Sequence, residues 1–193
     1  MIRGLTTGFR VLWRRTGLDR DDLARAQEGL ALIEFSLVFP ILLMLFVGTV
    51  EFSEAFAVNR KLTNAAGTVS DLVAQVSRVS NADLSDIAEV AETLLEPYRA
   101  ANLGLVVTSV EADADNNTTV GWSFAHGSGA TARTGGAAFA LPAGLTEPNS
   151  SVIVAETNYQ FTPTVAYYLT GDIRLTGQAY FRPRVSRVVA KVQ

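Results

Sequence analysis

A run of mainly apolar residues covers positions 30–50 of the chain. An α-helix needs about 20 residues to cross a hydrocarbon core of about 30 Å, and the run is that long. It contains one acid, Glu34, close to its amino-terminal edge. Because a carboxylate at mid-depth in a bilayer costs roughly 2.5–3.5 kcal/mol on insertion scales, the position of Glu34 requires an explanation. The pattern predicts a transmembrane helix over residues 30–50.

Apolar residues recur at helical spacing after this run. Between Val58 and Val79 they follow one another at intervals of three and four residues, which is typical of an amphipathic helix. The transmembrane helix is therefore expected to continue to about residue 79. Ser80, with Asp83 three residues later, indicates the start of a second helix. The predicted apolar stripe of that second helix consists of Leu84, Ile87, Ala91, Leu94 and Tyr98.

The period of the pattern changes to two after residue 103. Alternating polarity with β-branched and aromatic residues predicts strands over residues 105–110, 119–124, 152–161 and 173–182. Polar residues at 113–117 fit a turn between the first two strands, and residues 126–150 form a glycine- and alanine-rich loop. The predicted fold is α+β, with a long N-terminal transmembrane and amphipathic helix, a second helix and then a small antiparallel β-sheet of pilin-like character.

Charge differs between the two sides of the apolar run. Residues 1–29 are rich in arginine, whereas Glu51 and Glu54 follow the run and are interpreted as solvated interface residues. By the positive-inside rule, this asymmetry places the amino terminus in the cytoplasm. The sequence therefore predicts a basic cytoplasmic leader at 1–29, the transmembrane helix at 30–50 and an α+β domain outside the cytoplasm at 51–193. The arginines are mixed with acids, so no nucleic-acid partner is predicted.

A cleaved secretory signal peptide is the alternative interpretation of the first 50 residues. The apolar stretch is longer than the hydrophobic region of about 7–15 residues that such a peptide contains. No clean small-x-small cleavage site closes it. A retained membrane helix is therefore favoured.

The residues before Glu34 offer one explanation for its position. Gly29 is followed by four apolar residues and then by Glu34, which makes the glutamate fifth when counted from Leu30. Cleavage after Gly29 would give Leu30 a free amino group, and Glu34 of a neighbouring subunit could neutralise that charge at the membrane edge. A peptidase needs extended backbone at the cut, which glycine permits most easily. A plain signal anchor with a glutamate near water is the alternative.

Two further residues of the apolar run bear on helix packing. Pro40 lies inside the run and predicts a kink or a freed carbonyl, with simple tolerance as the alternative. Gly48 would permit close contact between helices. No pair of small residues four apart occurs in the apolar centre, so this packing signal is poor.

The sequence gives little support to a catalytic or metal site. His126 is the one histidine and there is no cysteine, which excludes disulfides, thiolate catalysis and a histidine pair for zinc. The acidic turn at 113–117 lacks the glycine and the final glutamate of a calcium loop. The sequence predicts no metal and no cofactor. The alternative class, a signal-anchored enzyme or binding protein uncleaved at Gly29, would need a polar cluster between the strands and the glycine-rich loop.

Several segments resemble a known family. Residues 28–40 (EGLALIEFSLVFP), 48–52 (GTVEF) and 62–66 (LTNAA) resemble the amino-terminal signature of the TadE-like family, pseudopilin-type proteins of the tight-adherence (Tad, Flp-type) pilus assembly system. Residues 152–163 (VIVAETNYQFTP), 173–176 (IRLT) and 182–184 (RPR) resemble the closing strands of the family with lower specificity.

The resemblance implies a single-pass inner-membrane protein that is not an enzyme and that takes part in assembling a thin adhesive pilus. A prepilin peptidase, other minor pseudopilins and pilins are the implied partners. Gly29 and Leu30 would form the scissile bond, and Glu34 would act in processing or assembly. Phe35 stands where pilin subunits of the system usually carry tyrosine. Together with the length of the chain, this departure favours a minor pseudopilin over the bulk subunit.

Overall fold

The computed structural model describes residues 20–165 and 171–192, and it confirms the α+β class. Two helices and four main strands follow one another along the chain as expected. The chain divides into two compact units between Phe46 and Val47. The elements are α1 (Arg20–Ala74), β1 (Arg78–Val79), α2 (Asn81–Leu95), a short 3-10 turn (Ala100–Asn102), β2 (Leu103–Ala112), β3 (Thr118–Gly127), β4 (Ser151–Phe161), β5 (Ile173–Phe181) and β6 (Ala190–Lys191). Most of the predicted leader, residues 1–19, lies outside the described residues.

The main sheet has four strands in the order β3-β2-β4-β5, and all neighbours are antiparallel. The central strand β2 is buried over nearly its whole length, because helices cover one face of the sheet and residues 128–150 cover part of the other. The two short strands β1 and β6 pair in parallel as a separate ribbon. The predicted strands are confirmed with small differences at their ends. Strand β2 is two residues longer at each end, β3 is one residue longer at its start and three at its end, β4 is one residue longer at its start, and β5 ends one residue earlier.

The carboxy-terminal half of α1 packs on the helix-covered face of the sheet. Its buried apolar residues are Val58, Leu62, Ala65, Ala66, Val69, Val73 and Ala74. They follow the predicted stripe as far as Val69, after which Val73 is buried in place of Leu72, and Val76 is exposed. Together with α2 and the inner residues of β2 and β4, they form the larger of two hydrophobic clusters. At about 25 cal/mol per Å² of apolar surface removed from water, this burial is the main source of stability for the packing of helix on sheet.

Gly177 on β5 allows α1 to approach the sheet closely. A methyl group at this position would lie 2.7 Å from the Leu62 carbonyl carbon, from the Thr63 nitrogen and from Thr157 Oγ1. The buried Thr157 hydroxyl can donate to the Leu62 carbonyl at 3.2 Å or to the Gly177 carbonyl at 3.3 Å. Helix backbone therefore lies directly against strand backbone, and no other residue type fits at position 177 without a shift of that backbone.

Helix α1 ends earlier than the sequence pattern indicates. The predicted end near residue 79 was wrong, because α1 stops at Ala74 and Val79 belongs to β1. The Ala74 carbonyl accepts a hydrogen bond from the Arg184 backbone amide at 2.9 Å, so a distant segment takes the place of the next helical amide. Val79 is buried and its apolar character continues the stripe, although its backbone is extended.

The second helix begins where the sequence predicts. Ser80 and Asp83 form a capping box, in which the Ser80 amide donates to Asp83 Oδ2 at 2.8 Å and the Asp83 amide donates to Ser80 Oγ at 3.2 Å. The Ser80 amide and the Ser80 hydroxyl, which donates to the same Asp83 Oδ2 at 2.8 Å, hold the pKa of Asp83 below its usual value of 3.8. The buried side chains of α2 are Leu84, Ala88, Ala91 and Leu95. The placement of Leu94 in the stripe was wrong, because Leu95 is buried and Leu94 is exposed.

Lys61 of α1 binds the carboxy-terminal end of α2. Its Nζ donates to the Leu94 carbonyl at 3.2 Å and to the Glu96 carbonyl at 2.7 Å. The last turn of α2 has no basic residue of its own. Lys61 therefore supplies the positive charge that the negative end of the helix dipole favours.

The glycine- and alanine-rich loop packs on the second face of the sheet. Phe139, Leu141 and Leu145 contact a cluster of buried valines on β2 and β4. Arg182 fixes the same loop, donating to the Leu145 carbonyl at 2.8 Å and to the Gly144 carbonyl at 2.9 Å. The loop thus contributes to the core despite its low content of regular structure.

We expect Gly177→Ala to lower the free energy of unfolding by roughly 1–3 kcal/mol, since the added methyl meets backbone atoms that cannot move independently. Urea unfolding of the full chain in detergent, followed by circular dichroism, measures this change. Gly67→Ala is the matched control, because nothing lies within 4 Å of a methyl group there. That control should be neutral or more stable by about 0.5–1 kcal/mol. Equal stability of the two variants would contradict the close approach.

We expect Asp83→Asn to be less stable than the parent protein at pH 7, and the difference to shrink as the pH falls below about 3.8. The pKa of Asp83 is lowered in the folded state, so its contribution is complete above the unfolded pKa and disappears as the carboxyl group is protonated. Unfolding curves at a series of pH values measure this. Asp86→Asn alters a carboxylate of the same helix outside the capping box, and a matching pH profile for that variant would contradict the prediction.

Candidate functional site

The apolar run forms an exposed helical surface in the first unit. From Leu30 to Phe46 the large apolar side chains expose between 46% and 69% of their area. Soluble proteins rarely present so long a row of exposed apolar residues. By length and composition, α1 is able to cross a membrane, and its most apolar stretch is not buried within the protein.

Gly29 and Leu30 both lie within α1. The bond between them therefore has helical backbone, whereas the sequence argument assumed that a peptidase binds this bond in an extended form. Unwinding of one turn would be needed before cleavage. Glycine in a helix is less favourable than alanine by about 0.5–1 kcal/mol, so unwinding is easiest at Gly29. Cleavage at this bond stays a prediction.

Glu34 lies one helical turn after Leu30 and is exposed. Residues four apart lie on the same face of a helix, so Glu34 and Leu30 lie on one side of α1. Among the described residues Glu34 makes no ion pair. The carboxylate is therefore sterically accessible to a second chain.

The helical turn after Glu34 contains Phe35, Phe39 and Pro40. The rings of Phe35 and Phe39 lie with their centroids 5.3 Å apart, tilted by 32°. Pro40 lies inside α1, which continues on both sides of it. Because proline has no amide hydrogen, the carbonyl of Ser36 lacks its usual helical donor. The Ser36 hydroxyl itself donates to the Ile33 carbonyl at 2.8 Å.

Gly48 has open space around it. A methyl group at this position would meet no atom within 4 Å. Nothing in the described part of a single chain thus requires glycine at position 48, and its predicted role in contact between helices stays a prediction.

Glu51 differs from the sequence-based interpretation. The prediction of a solvated residue was wrong, because only 9% of Glu51 is exposed. Its Oε1 accepts a hydrogen bond from the backbone amide of Val165, in the segment after β4. Glu54 is exposed as expected. No local pattern could reveal the burial of Glu51, since its partner lies more than a hundred positions further along the chain.

Two polar arrangements in the domain were not predicted. His126 Nε2 lies 2.8 Å from Glu92 Oε1, and this contact links β3 to α2 with both side chains partly buried. A groove of about 500 Å³ lies on the outer face of β4 and β5, beside the glycine-rich loop. Polar and charged side chains line most of it, among them Arg133, Glu156, Asn158, Arg174 and Gln178.

The groove lies where the alternative hypothesis of an enzyme or binding protein places its site. Arg133 is paired with Glu156 and its guanidinium lies 4.9 Å from the centre of the Phe139 ring. Neither histidine nor serine is present among the residues that line the groove in the described part of the chain. The groove thus offers hydrogen-bonding and charged groups to a ligand.

A protein-family model described as "TadE-like protein" matches residues 29–70. The match begins at Gly29, covers the whole exposed apolar surface and ends within the part of α1 that packs on the sheet. No curated protein and no solved structure matches the chain. The family resemblance is confirmed over this segment, which contains the candidate processing bond, Glu34, Pro40 and Gly48.

Proposed function

We propose that this chain, whose residues 29–70 are TadE-like, is a minor pseudopilin that acts in the biogenesis of a tight-adherence pilus. The observation that carries the proposal is the exposed apolar surface from Leu30 to Phe46, which contains a single carboxylate, Glu34, in the fifth position after Gly29. We infer a structural role in assembly or secretion and no catalysis by the chain itself.

The apolar surface supports an anchor in the bacterial inner membrane. Residues 30–50 cross the bilayer, the arginine-rich residues 1–29 lie in the cytoplasm and residues 51–193 form the domain on the other side. Charge supports this orientation, because basic residues precede the span and acids follow it. An apolar surface of this length would cause aggregation if it stayed in water.

The accessibility of Glu34 supports processing at Gly29. A prepilin peptidase that cuts after Gly29 leaves a positive amino group on Leu30, on the helix face that Glu34 shares. In a bundle of subunits, the carboxylate of one chain pairs with the new amino group of the next. Such a pair neutralises two charges that would otherwise be costly at the membrane edge. Other minor pseudopilins and pilins of the same system are the proposed partners.

The processing step is tested by sequencing the amino terminus of the protein extracted from membranes of cells with and without the system's prepilin peptidase. Leu30 should be the new terminus only where the peptidase is present. Gly29→Val should block cleavage, because a β-branched residue hinders close binding of the backbone. Gly48→Val makes the same change in open space of the same helix, and it should be cleaved normally. An intact leader in both strains would contradict the proposal.

We expect Glu34→Ala to abolish or strongly reduce piliation while the domain stays folded, because the carboxylate is exposed and makes no contact with the core. Electron microscopy of the cells measures piliation, and protease resistance of the domain reports its folding. Glu54→Ala removes another exposed carboxylate of α1 and serves as the control. Normal piliation with Glu34→Ala would show that Glu34 is not needed for assembly and would contradict the prediction.

A signal-anchored binding protein is the second candidate, and the polar groove beside β5 is the observation that favours it. Under that alternative, Arg174→Ala in the groove would impair function while Glu34→Ala would not. The opposite pattern would support the pseudopilin.

A further inference from the structure

The exposed apolar surface of α1 does not end with the predicted span. Phe52 exposes 74% of its area and Phe56 exposes 63%. These residues lie four apart on one face of the helix, and the core-facing residues Val58 and Leu62 lie on another. In the same unit, Val165 exposes 57%. Large apolar side chains that stay in water at these positions would be unfavourable.

Glu51, which lies between the predicted span and Phe52, is not part of the exposed surface. Glu51 is buried, and its carboxylate accepts the amide of Val165. The surface that Phe52 presents therefore carries no charge from Glu51. Arg60, the next residue of the row at intervals of four, is exposed and suits contact with lipid phosphate groups.

The burial of Glu51 changes which residues a bilayer can accommodate. If Glu34 stays at the cytoplasmic edge, a hydrocarbon core of about 20 residues takes up positions 35–54, which shifts the span of residues 30–50 described above toward the domain by about four residues. That register includes position 51, where an exposed carboxylate would oppose it, and it ends at the exposed Glu54, whose carboxylate lies at the outer boundary with water. It places Phe52 just inside the outer boundary. Phe56 then lies two residues beyond the boundary, about 3 Å at a rise of about 1.5 Å per residue.

We propose that Phe52, Phe56 and Val165 form a contact with the outer membrane–water interface, so that lipid covers this part of residues 51–193. The proposal rests on the membrane anchor described above and extends it to residues of the domain. Lipid is the favoured occupant because the exposed row follows the apolar run within the same helix. Along α1 at intervals of four, Phe52 and Phe56 are followed by Arg60. This order of apolar and then basic side chains matches the order of hydrocarbon and then phosphate groups at a bilayer surface.

The absence of cysteine from the chain makes a direct test possible. Single-cysteine variants of the full chain (F52C, F56C and V165C) are spin-labelled and reconstituted in vesicles of phosphatidylethanolamine and phosphatidylglycerol. Accessibility to oxygen, which concentrates in lipid, is compared with accessibility to a water-soluble nickel complex. T63C is the control for the same helix further along, since Thr63 is also exposed. L42C is the control for the anchor.

We expect labels at positions 42 and 52 to be accessible to oxygen and protected from nickel. Labels at 56 and 165 should be protected from nickel more than the label at 63, which should be fully accessible to it. If 42 is protected while 52, 56 and 165 behave like 63, the interfacial contact is wrong and the anchor stands. Protection of 52 and 56 from both reagents would mean that protein covers them, and it would also overturn the proposal. Access of nickel to position 42 would overturn the anchor together with the contact.

Discussion

The fold of residues 47–193 depends on the contact between the backbones of α1 and β5 at Gly177. The absence of a side chain there lets the Leu62 carbonyl reach the buried Thr157 hydroxyl. That short separation brings Val58, Leu62 and Val69 deep into the core, where apolar burial stabilises the packing of helix on sheet. The position of α1 then determines where Lys61 meets the end of α2. One glycine on an edge strand thus governs the placement of both helices of the domain.

Two carboxylates beside the apolar surface of α1, those of Glu34 and Glu51, lie in different environments. Glu51 is placed inside the protein and hydrogen-bonded, so that its charge does not oppose apolar surroundings. Glu34 is left accessible at the start of the apolar run. The two carboxylates differ in whether a partner is present. The segment after β4 supplies a hydrogen-bond donor for Glu51, and the described residues supply none for Glu34. A carboxylate that stays accessible beside so much apolar surface is suited to pairing with a charge from another chain.

Much of this fold follows from local pattern. The helix over the apolar run, the capping box at Ser80 and the alternating strands each rest on short-range physics and are confirmed, whereas membrane crossing by that helix stays a prediction. The errors fall where distant residues intervene. The end of α1 at Ala74 depends on the Arg184 amide, and the burial of Glu51 depends on Val165. The choice of Leu95 over Leu94 reflects the angle at which α2 meets the core, which periodicity alone does not give. At the candidate site, the residue types were predictable and their accessibility was not.

The segment after β5 completes several earlier elements. Its Arg184 amide terminates α1, the Val189 carbonyl accepts the indole hydrogen of Trp122 at 2.8 Å, and β6 pairs with β1. These contacts join positions near residues 74, 79 and 122 to the last ten residues described. A chain made from its amino terminus cannot form them until residues 184–191 have been synthesised. If the domain lies beyond the membrane, nearly its whole length must cross before the native fold can close, so translocation of this chain precedes the completion of its folding.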